Sequence, residues 1–157
     1  MRNVNDAEYW ENIYLNNDTG WDLGIPTPVF EKISSEITTG KVIILGCGRG
    51  YDAVMFAKKG FEVTAVDFSP SAINYLKNIA DCQSILVNTI QEDIFFLKEK
   101  FKGYFDYVIE QTCFCAIDPT RRVEYEALVK TILNDNGKLI GLWYPIGKLL
   151  SEGGPPW

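Results

Sequence analysis

The run Ile43-Ile44-Leu45-Gly46-Cys47-Gly48-Arg49-Gly50-Tyr51-Asp52 places three glycines where an apolar strand gives way to a helix. That is where an open α/β sheet binds ligands. Glycines at 46, 48 and 50 allow a tight turn and a close approach of backbone to ligand. The helix that follows aims its unpaired N–H groups and positive dipole end into the same space. Asp67 stands 21 residues after Gly46, at the end of the next apolar run. A carboxylate there can accept from both vicinal hydroxyls of a ribose. Glu92-Asp93-Ile94 follows a third apolar run. An acid there can accept from an adenine amino group while the next N–H donates to a ring nitrogen. Loop, ribose anchor and adenine reader together describe an adenosine-containing ligand without a pyrophosphate. Plainer readings exist for each. The glycines could be turn chemistry alone, Asp67 could start the helix at Phe68-Ser69-Pro70, and Asp93 could be an N-cap.

These positions need strands and helices in alternation, and the sequence supplies them. The pattern predicts a short helix over Asp6 to Leu15, broken by Asn16 to Gly20, and an extended loop through Trp21-Asp22-Leu23-Gly24-Ile25-Pro26-Thr27-Pro28. A helix over Val29 to Ile37 precedes the first strand, Lys41 to Leu45, whose unbroken apolarity marks a buried parallel strand. The expected order continues with a helix at Tyr51 to Lys59 capped by Gly60, a strand at Glu62 to Val66 and a helix at Ser69 to Ile79. A strand at Ser84 to Asn88, a short helix at Ile94 to Lys100 and a strand at Phe105 to Glu110 come next. A long helix at Thr120 to Leu133, a turn at Asn134 to Gly137 and a fifth strand at Lys138 to Tyr144 complete the set. The alternation predicts an α/β, doubly wound, mostly parallel sheet of about five strands in a single domain.

Composition narrows the function classes. The chain has 157 residues, 46% hydrophobic and 23% charged, which suits one globular core. Fifteen Lys and Arg against twenty-one Asp and Glu give a charge of −6, a poor basis for binding nucleic acid. The compact basic pair Arg121–Arg122 reads as a solvated helix face, with a role near an anionic substrate as the lesser alternative. The sequence has no His, so a His general base, a Ser-His-Asp triad and a His-ligated metal are excluded. Cys47, Cys82, Cys113 and Cys115 read as small hydrophobes, not as a disulfide or metal framework. No apolar run approaches the ~20 residues that span a bilayer, and the start of the sequence shows no signal-peptide core. A cytoplasmic protein without membrane or nucleic-acid partners is expected.

The glycine loop reads GxGxG, with Tyr at 51 where a dinucleotide-binding loop has its third glycine. It resembles the cofactor loop of class I S-adenosylmethionine-dependent methyltransferases. The motifs Trp21-Asp22-Leu23-Gly24 with Pro26-Thr27-Pro28, Gly46 to Asp52, Phe105-Asp106-Tyr107-Val108, Phe114-Cys115-Ala116-Ile117-Asp118-Pro119, Tyr144-Pro145-Ile146 and Gly153-Gly154-Pro155-Pro156 occur in that order. They resemble the thiopurine methyltransferase superfamily, most of all its thiol, halide and thiocyanate methyltransferase branch, over roughly residues 8 to 157. That family tolerates an apolar residue such as Ile44 where other methyltransferases carry an acid.

The resemblance implies a Rossmann-like fold, S-adenosyl-L-methionine as cofactor and methyl transfer to a small sulfur or halide nucleophile. The alternative is a non-catalytic or truncated cofactor-binding module. The resemblance makes residues 1–37 a helical segment that covers the cofactor, 41–144 the core and 145–157 a substrate-side loop. Trp10 and Trp21 match cofactor-covering aromatics, and aromatic faces suit a sulfonium. Gly46, Cys47 and Gly48 match the cofactor loop, Asp67 and Phe68 the ribose site, Asp93 and Ile94 the adenine site, and Gln111 a contact to the methionine part. No metal is implied and no catalytic residue is assigned. Glu110, Tyr144 and the 153–156 loop fall where a substrate could sit. The family's sixth and seventh strands have no counterpart here, so the edge of the fifth strand is expected to be exposed. A fragment, or a homodimer paired through that edge, would follow.

Overall fold

The hydrophobic run Lys41–Leu45 becomes the central strand β1, with Val42, Ile43, Ile44 and Leu45 all buried. The computed structural model describes residues 3–143, and everything below concerns those residues. Before β1 lie helices α1, Ala7–Leu15, and α2, Pro28–Glu36. After it come α3 (Tyr51–Lys58), β2 (Glu62–Asp67), α4 (Pro70–Cys82) and β3 (Asn88–Gln91). A 3-10 segment, Ile94–Glu99, leads to β4, Phe105–Gln111. A 3-10 turn, Pro119–Arg121, leads into α5, Arg122–Ile132, and then β5, Leu133–Leu142.

The sheet order is β3-β2-β1-β4-β5, and every pairing is parallel. Period-two alternation splits β1 between two cores. Val42 and Ile44 pack with Phe30, Phe56, Leu76 and their neighbours from α2, α3 and α4. Ile43 and Leu45 pack with Leu97, Phe105, Leu128 and Ile132 on the opposite face. Helices therefore cover both faces, which is the doubly wound, Rossmann-like arrangement expected. The order reverses between β1 and β4, and ligands bind at such a switch point. Among the described residues no helix is long and apolar enough to cross a membrane.

Two elements differ from expectation. The third strand is Asn88–Gln91, not Ser84 to Asn88. Ser84 adopts a left-handed φ of 54°, and the Ile85 and Ser84 N–H groups donate to the Ala80 and Asp81 carbonyls at 2.9 and 3.0 Å. That is a Schellman ending of α4, with Ile85 folded onto the helix. Apolar Ile85 and Val87 pack on the core without joining the sheet. The second difference is at 134–137, where the anticipated turn is a bulge inside β5. Phe105 pairs with Leu133, and Tyr107 next pairs with Lys138. Asp106 anchors it, accepting from Asn134 Nδ2 at 2.7 Å and from the Lys41 N–H at 2.7 Å. Leu139 and Leu142 of β5, the last strand of the order, and the following Trp143 stay exposed.

Candidate functional site

Strand register brings the predicted residues to one rim. Leu45 pairs with Val66, so Gly46 stands level with Asp67. Asp67 pairs with Gln91, which puts Asp93 two residues beyond the same edge. Ile44 pairs with Ile109, so Gln111 reaches the level of Gly46 from the other side. A cavity of about 600 Å³ opens at this rim, and Trp10, Trp21, Gly46, Cys47, Gly48, Asp67, Phe68, Asp93, Ile94 and Gln111 all line it. Tyr144 and the 153–156 loop lie outside the described residues.

Asp67 is the best-held polar group of the cavity. It is 7% exposed. One carboxylate oxygen accepts from the Gly48 N–H at 2.9 Å and the other from the Ser69 N–H at 3.0 Å. The neighbouring Phe68 N–H also bears on it, and the carboxylate's remaining acceptor capacity is open to a further donor. The carboxylate does not cap α4. Ser69 does, its hydroxyl accepting from Ala72 N at 3.3 Å. Burial pushes the Asp67 carboxyl up to about 6, against the pull of its backbone donors. Three N–H groups of the glycine loop are already used within the protein. The Cys47, Gly48 and Gly50 N–H groups are engaged by the Val66 carbonyl, Asp67 and the Cys47 carbonyl. Gly48 has φ 54°, and a Cβ there would stand 3.0 Å from the Tyr14 hydroxyl.

Asp93 is both cap and cavity wall. One oxygen accepts from Phe95 N at 3.0 Å and starts the 3-10 segment. The other faces Arg121 Nη1 at 3.4 Å. Arg121 departs from the solvated face expected of it. The Pro119–Arg121 turn directs its guanidinium into the cavity wall, 3.6 Å over the Phe95 ring. Arg122 lies instead against the Phe114 ring, 4.9 Å away.

The N-terminal segment roofs the cavity. Trp21 meets Trp10 and Tyr14 edge-on, with centroids 5.7 and 6.0 Å apart. Trp10 Nε1 donates to the Val4 carbonyl at 2.9 Å. Polar ties fix this roof to the core. Arg49 Nη1 donates to Asp22 at 2.8 Å and Nη2 to Asn17 at 3.1 Å. The Thr27 N–H and hydroxyl donate to Asp52 at 2.7 and 2.9 Å. The Thr27 hydroxyl proton is then committed, so its 3.0 Å contact to the Gln111 amide is best met by the amide nitrogen donating. Glu11 of α1 accepts from the Ser69 hydroxyl, the Ser71 hydroxyl and Ser71 N at 2.6, 2.6 and 3.0 Å. A carboxylate at the N-terminus of α4 also faces the positive helix dipole.

Burial pushes the Glu11 carboxyl up, but the serine donors outweigh it and the net shift is downward. Its contribution is present above its ordinary value of 4.5 and disappears as pH falls below that. Glu11→Ala is expected to cost about 1 kcal/mol, the size of a lost cap. Denaturant midpoints at pH 7 and pH 3 check this, and a cost that persists undiminished at pH 3 contradicts it.

Glu110 does not reach a substrate position. It is 1% exposed, absent from the cavity wall, and accepts from Phe114 N at 2.6 Å. Burial pushes it up to about 7. Asp67 and Glu110 thus bind protons more tightly in the native state than in the unfolded chain, where 3.8 and 4.5 are ordinary. Ionising them destabilises the fold, so stability should fall as pH rises from about 4 to about 7. Chemical denaturation of the ligand-free chain from pH 5 to pH 8 is expected to show declining midpoints, and rising midpoints would contradict it.

The sequence pattern of the family described as Thiopurine S-methyltransferase matches residues 5–157. The chain belongs to the thiopurine S-methyltransferase family. Among curated relatives, a probable thiol methyltransferase 2 of Arabidopsis thaliana is 31% identical over 160 residues, covering 100% of this chain and 70% of that protein. Thiocyanate methyltransferase 1 of Brassica oleracea is 32% identical, covering 94% of this chain and 66% of that protein. The structure described for conversion of a disulfide bond into a thioacetal group during echinomycin biosynthesis has a TM-score of 0.74 at 25% identity, over 82% of this chain and 57% of that one. A Burkholderia thailandensis 1,6-didemethyltoxoflavin-N1-methyltransferase reaches a TM-score of 0.74 at 20% identity, over 90% and 62% of the two chains. It shares the fold. The chain thus spans about two thirds of the curated relatives' length.

Within this methyltransferase family frame, Tyr14, like Arg121, is a site residue that the sequence did not single out. It is 8% exposed, lines the cavity and touches Trp21. Its signal was the spacing Trp10-x-x-x-Tyr14, which puts two aromatics on one helix face.

Proposed function

We propose that this chain transfers a methyl group from S-adenosyl-L-methionine to a small sulfur or halide nucleophile such as a thiol, thiocyanate or iodide. The observation that carries the reading is the Asp67 carboxylate, buried at the switch point in the wall of a cavity roofed by Trp10, Tyr14 and Trp21. The residues present fit such a cofactor. Gly48 leaves open the space a Cβ would fill against Tyr14. Asp67 suits a ribose diol, Asp93 and Ile94 an adenine edge, and Gln111 with the glycine loop an amino-acid tail. The aromatic faces suit a cationic sulfur. Thiol and thiocyanate methyltransferases among the relatives support the acceptor class.

When bound, S-adenosyl-L-methionine supplies an electrophilic methyl on a sulfonium whose leaving group is a neutral thioether. The protein's part is alignment and exclusion of water. A chain without His can do this, because a thiol with pKa near ~8.5 is already partly ionised at neutral pH. The ties from Arg49 and Thr27 hold the Trp10–Trp21 roof over the rim.

Two measurements test the reading. Calorimetric titration with S-adenosylhomocysteine should give saturable one-to-one binding. Headspace detection should find methylated thiol, methyl thiocyanate or methyl iodide from chain plus S-adenosyl-L-methionine. Binding without any volatile product would reduce the chain to a cofactor-binding module. No binding would overturn the reading.

A further inference from the structure

Glu110 ends β4 one residue before Gln111 and is buried beneath the segment 112–117. Its carboxylate accepts from the Phe114 N–H at 2.6 Å, with the Cys113 N–H as a second donor. The segment above it is tightly wound. Thr112 takes a φ of 61°, an outlier for a β-branched residue. The Ala116 and Ile117 N–H groups both donate to the Cys113 carbonyl, at 2.9 and 3.2 Å. The segment's other side presents Thr112, Cys113, Cys115, Ala116 and Ile117 to the cavity. Cys113 Sγ lies 3.0 Å from where a Gly46 Cβ would stand, so this wall abuts the glycine loop. In the function proposed above, on which this inference rests, that is the sulfonium end of the cofactor.

We propose that Glu110 is a positioning residue for methyl transfer: its ionised carboxylate holds the 112–117 wall at the spacing that in-line attack needs, without touching either reactant. Two N–H groups of one turn need two acceptor lone pairs, and a carboxylate supplies them. Protonation removes the charge and turns one oxygen into a donor, which weakens the carboxyl's hold on these N–H groups, and the wall loosens. Burial places this change near neutral pH, at about 7. The groups that face Glu110 do not titrate in its place. Burial pushes up the Cys113 and Cys115 thiols and the Tyr125 phenol of α5. Arg122 acts on Cys115, and Asp67 acts on Cys113 from across the rim. In β5 the strand neighbour of Glu110 is Gly141. Rising pH therefore has opposite effects: it firms the wall while it destabilises the fold.

Glu110→Gln tests this, because a neutral amide offers one uncharged acceptor oxygen in place of the carboxylate's two, as the protonated acid does. At pH 8 the variant should lose about 10-fold in kcat, within the range for a slightly misplaced reacting group. Its KM for S-adenosyl-L-methionine and its affinity for S-adenosylhomocysteine should stay within about 2-fold of wild type. The wild-type to variant ratio of kcat, in which the acceptor's own ionisation cancels, should shrink toward one below pH 6. Melting temperature at pH 8 should hold or rise, since a buried charge is gone. A structural role alone would lower melting temperature and kcat together. In the cofactor-free protein, amide exchange at Cys113 and Phe114 should quicken about 10-fold, as expected when a hydrogen bond is lost. A kcat ratio flat from pH 5.5 to 8.5, parallel losses of kcat and S-adenosylhomocysteine affinity, or unchanged exchange would each overturn the proposal. If wild type neither binds S-adenosylhomocysteine nor methylates, the functional reading fails, and the exchange measurement still decides whether Glu110 holds the wall.

Discussion

Asp67→Asn is expected to weaken S-adenosylhomocysteine binding roughly 100-fold, about 3 kcal/mol, the size of one or two hydrogen bonds to a charged group. The side chain keeps its shape, but its amide turns a donor toward either Gly48 N or Ser69 N, both donors themselves. The remaining oxygen cannot serve both of them and two ribose hydroxyls. Stability at pH 8 should change by less than about 1 kcal/mol, because removing a buried charge offsets the mismatched amide. Loss of affinity with an intact fold is therefore the signature. Wild-type affinity should also strengthen as pH rises through about 6, where Asp67 ionises, and the variant should lack this dependence. Calorimetry at pH 5.5 and pH 8 checks both points. A variant within 3-fold of wild type would remove Asp67 from the cofactor site.

Gly50→Ala is expected to destabilise the fold by about 3 kcal/mol, from left-handed backbone strain plus overpacking. Gly50 has φ 80°, and an added Cβ would run into the Leu76 side chain of α4, which is 0% exposed. The residue caps α3, so the glycine loop cannot shift without moving the helix. A thermal melt should show a drop of roughly 10 °C for a chain of this size. Gly20→Ala is the control, since a Cβ there meets nothing within 4 Å and φ is not left-handed. Equal melting temperatures for the two variants would contradict the packing argument.

The rim was legible because its residues lie at strand ends, and strand ends are where sequence periodicity breaks. Gly46 and Asp67 each close an apolar run, Asp93 falls just past the short strand Asn88–Gln91, and parallel register does the rest. What sequence did not show depends on contacts distant along the chain. Arg121 and Arg122 are adjacent and both basic, yet a short 3-10 turn sends one into the cavity and the other onto Phe114. Glu110 followed an apolar strand like the other acids, but its carboxylate turns under the next loop and not outward. Ile85 and Val87 looked like strand because they are apolar, while the αL residue Ser84 had already committed Ile85 to a helix cap. Glu11 gave no signal, since its partners Ser69 and Ser71 are about sixty positions away.

A crystal structure of the chain soaked with S-adenosylhomocysteine tests the central claim most directly. Both ribose hydroxyls should donate to Asp67, the adenine amino group should face Asp93, and the thioether sulfur should sit between the glycine loop and the Trp10–Trp21 roof. Density for the nucleoside elsewhere, or a ribose turned away from Asp67, would contradict the account.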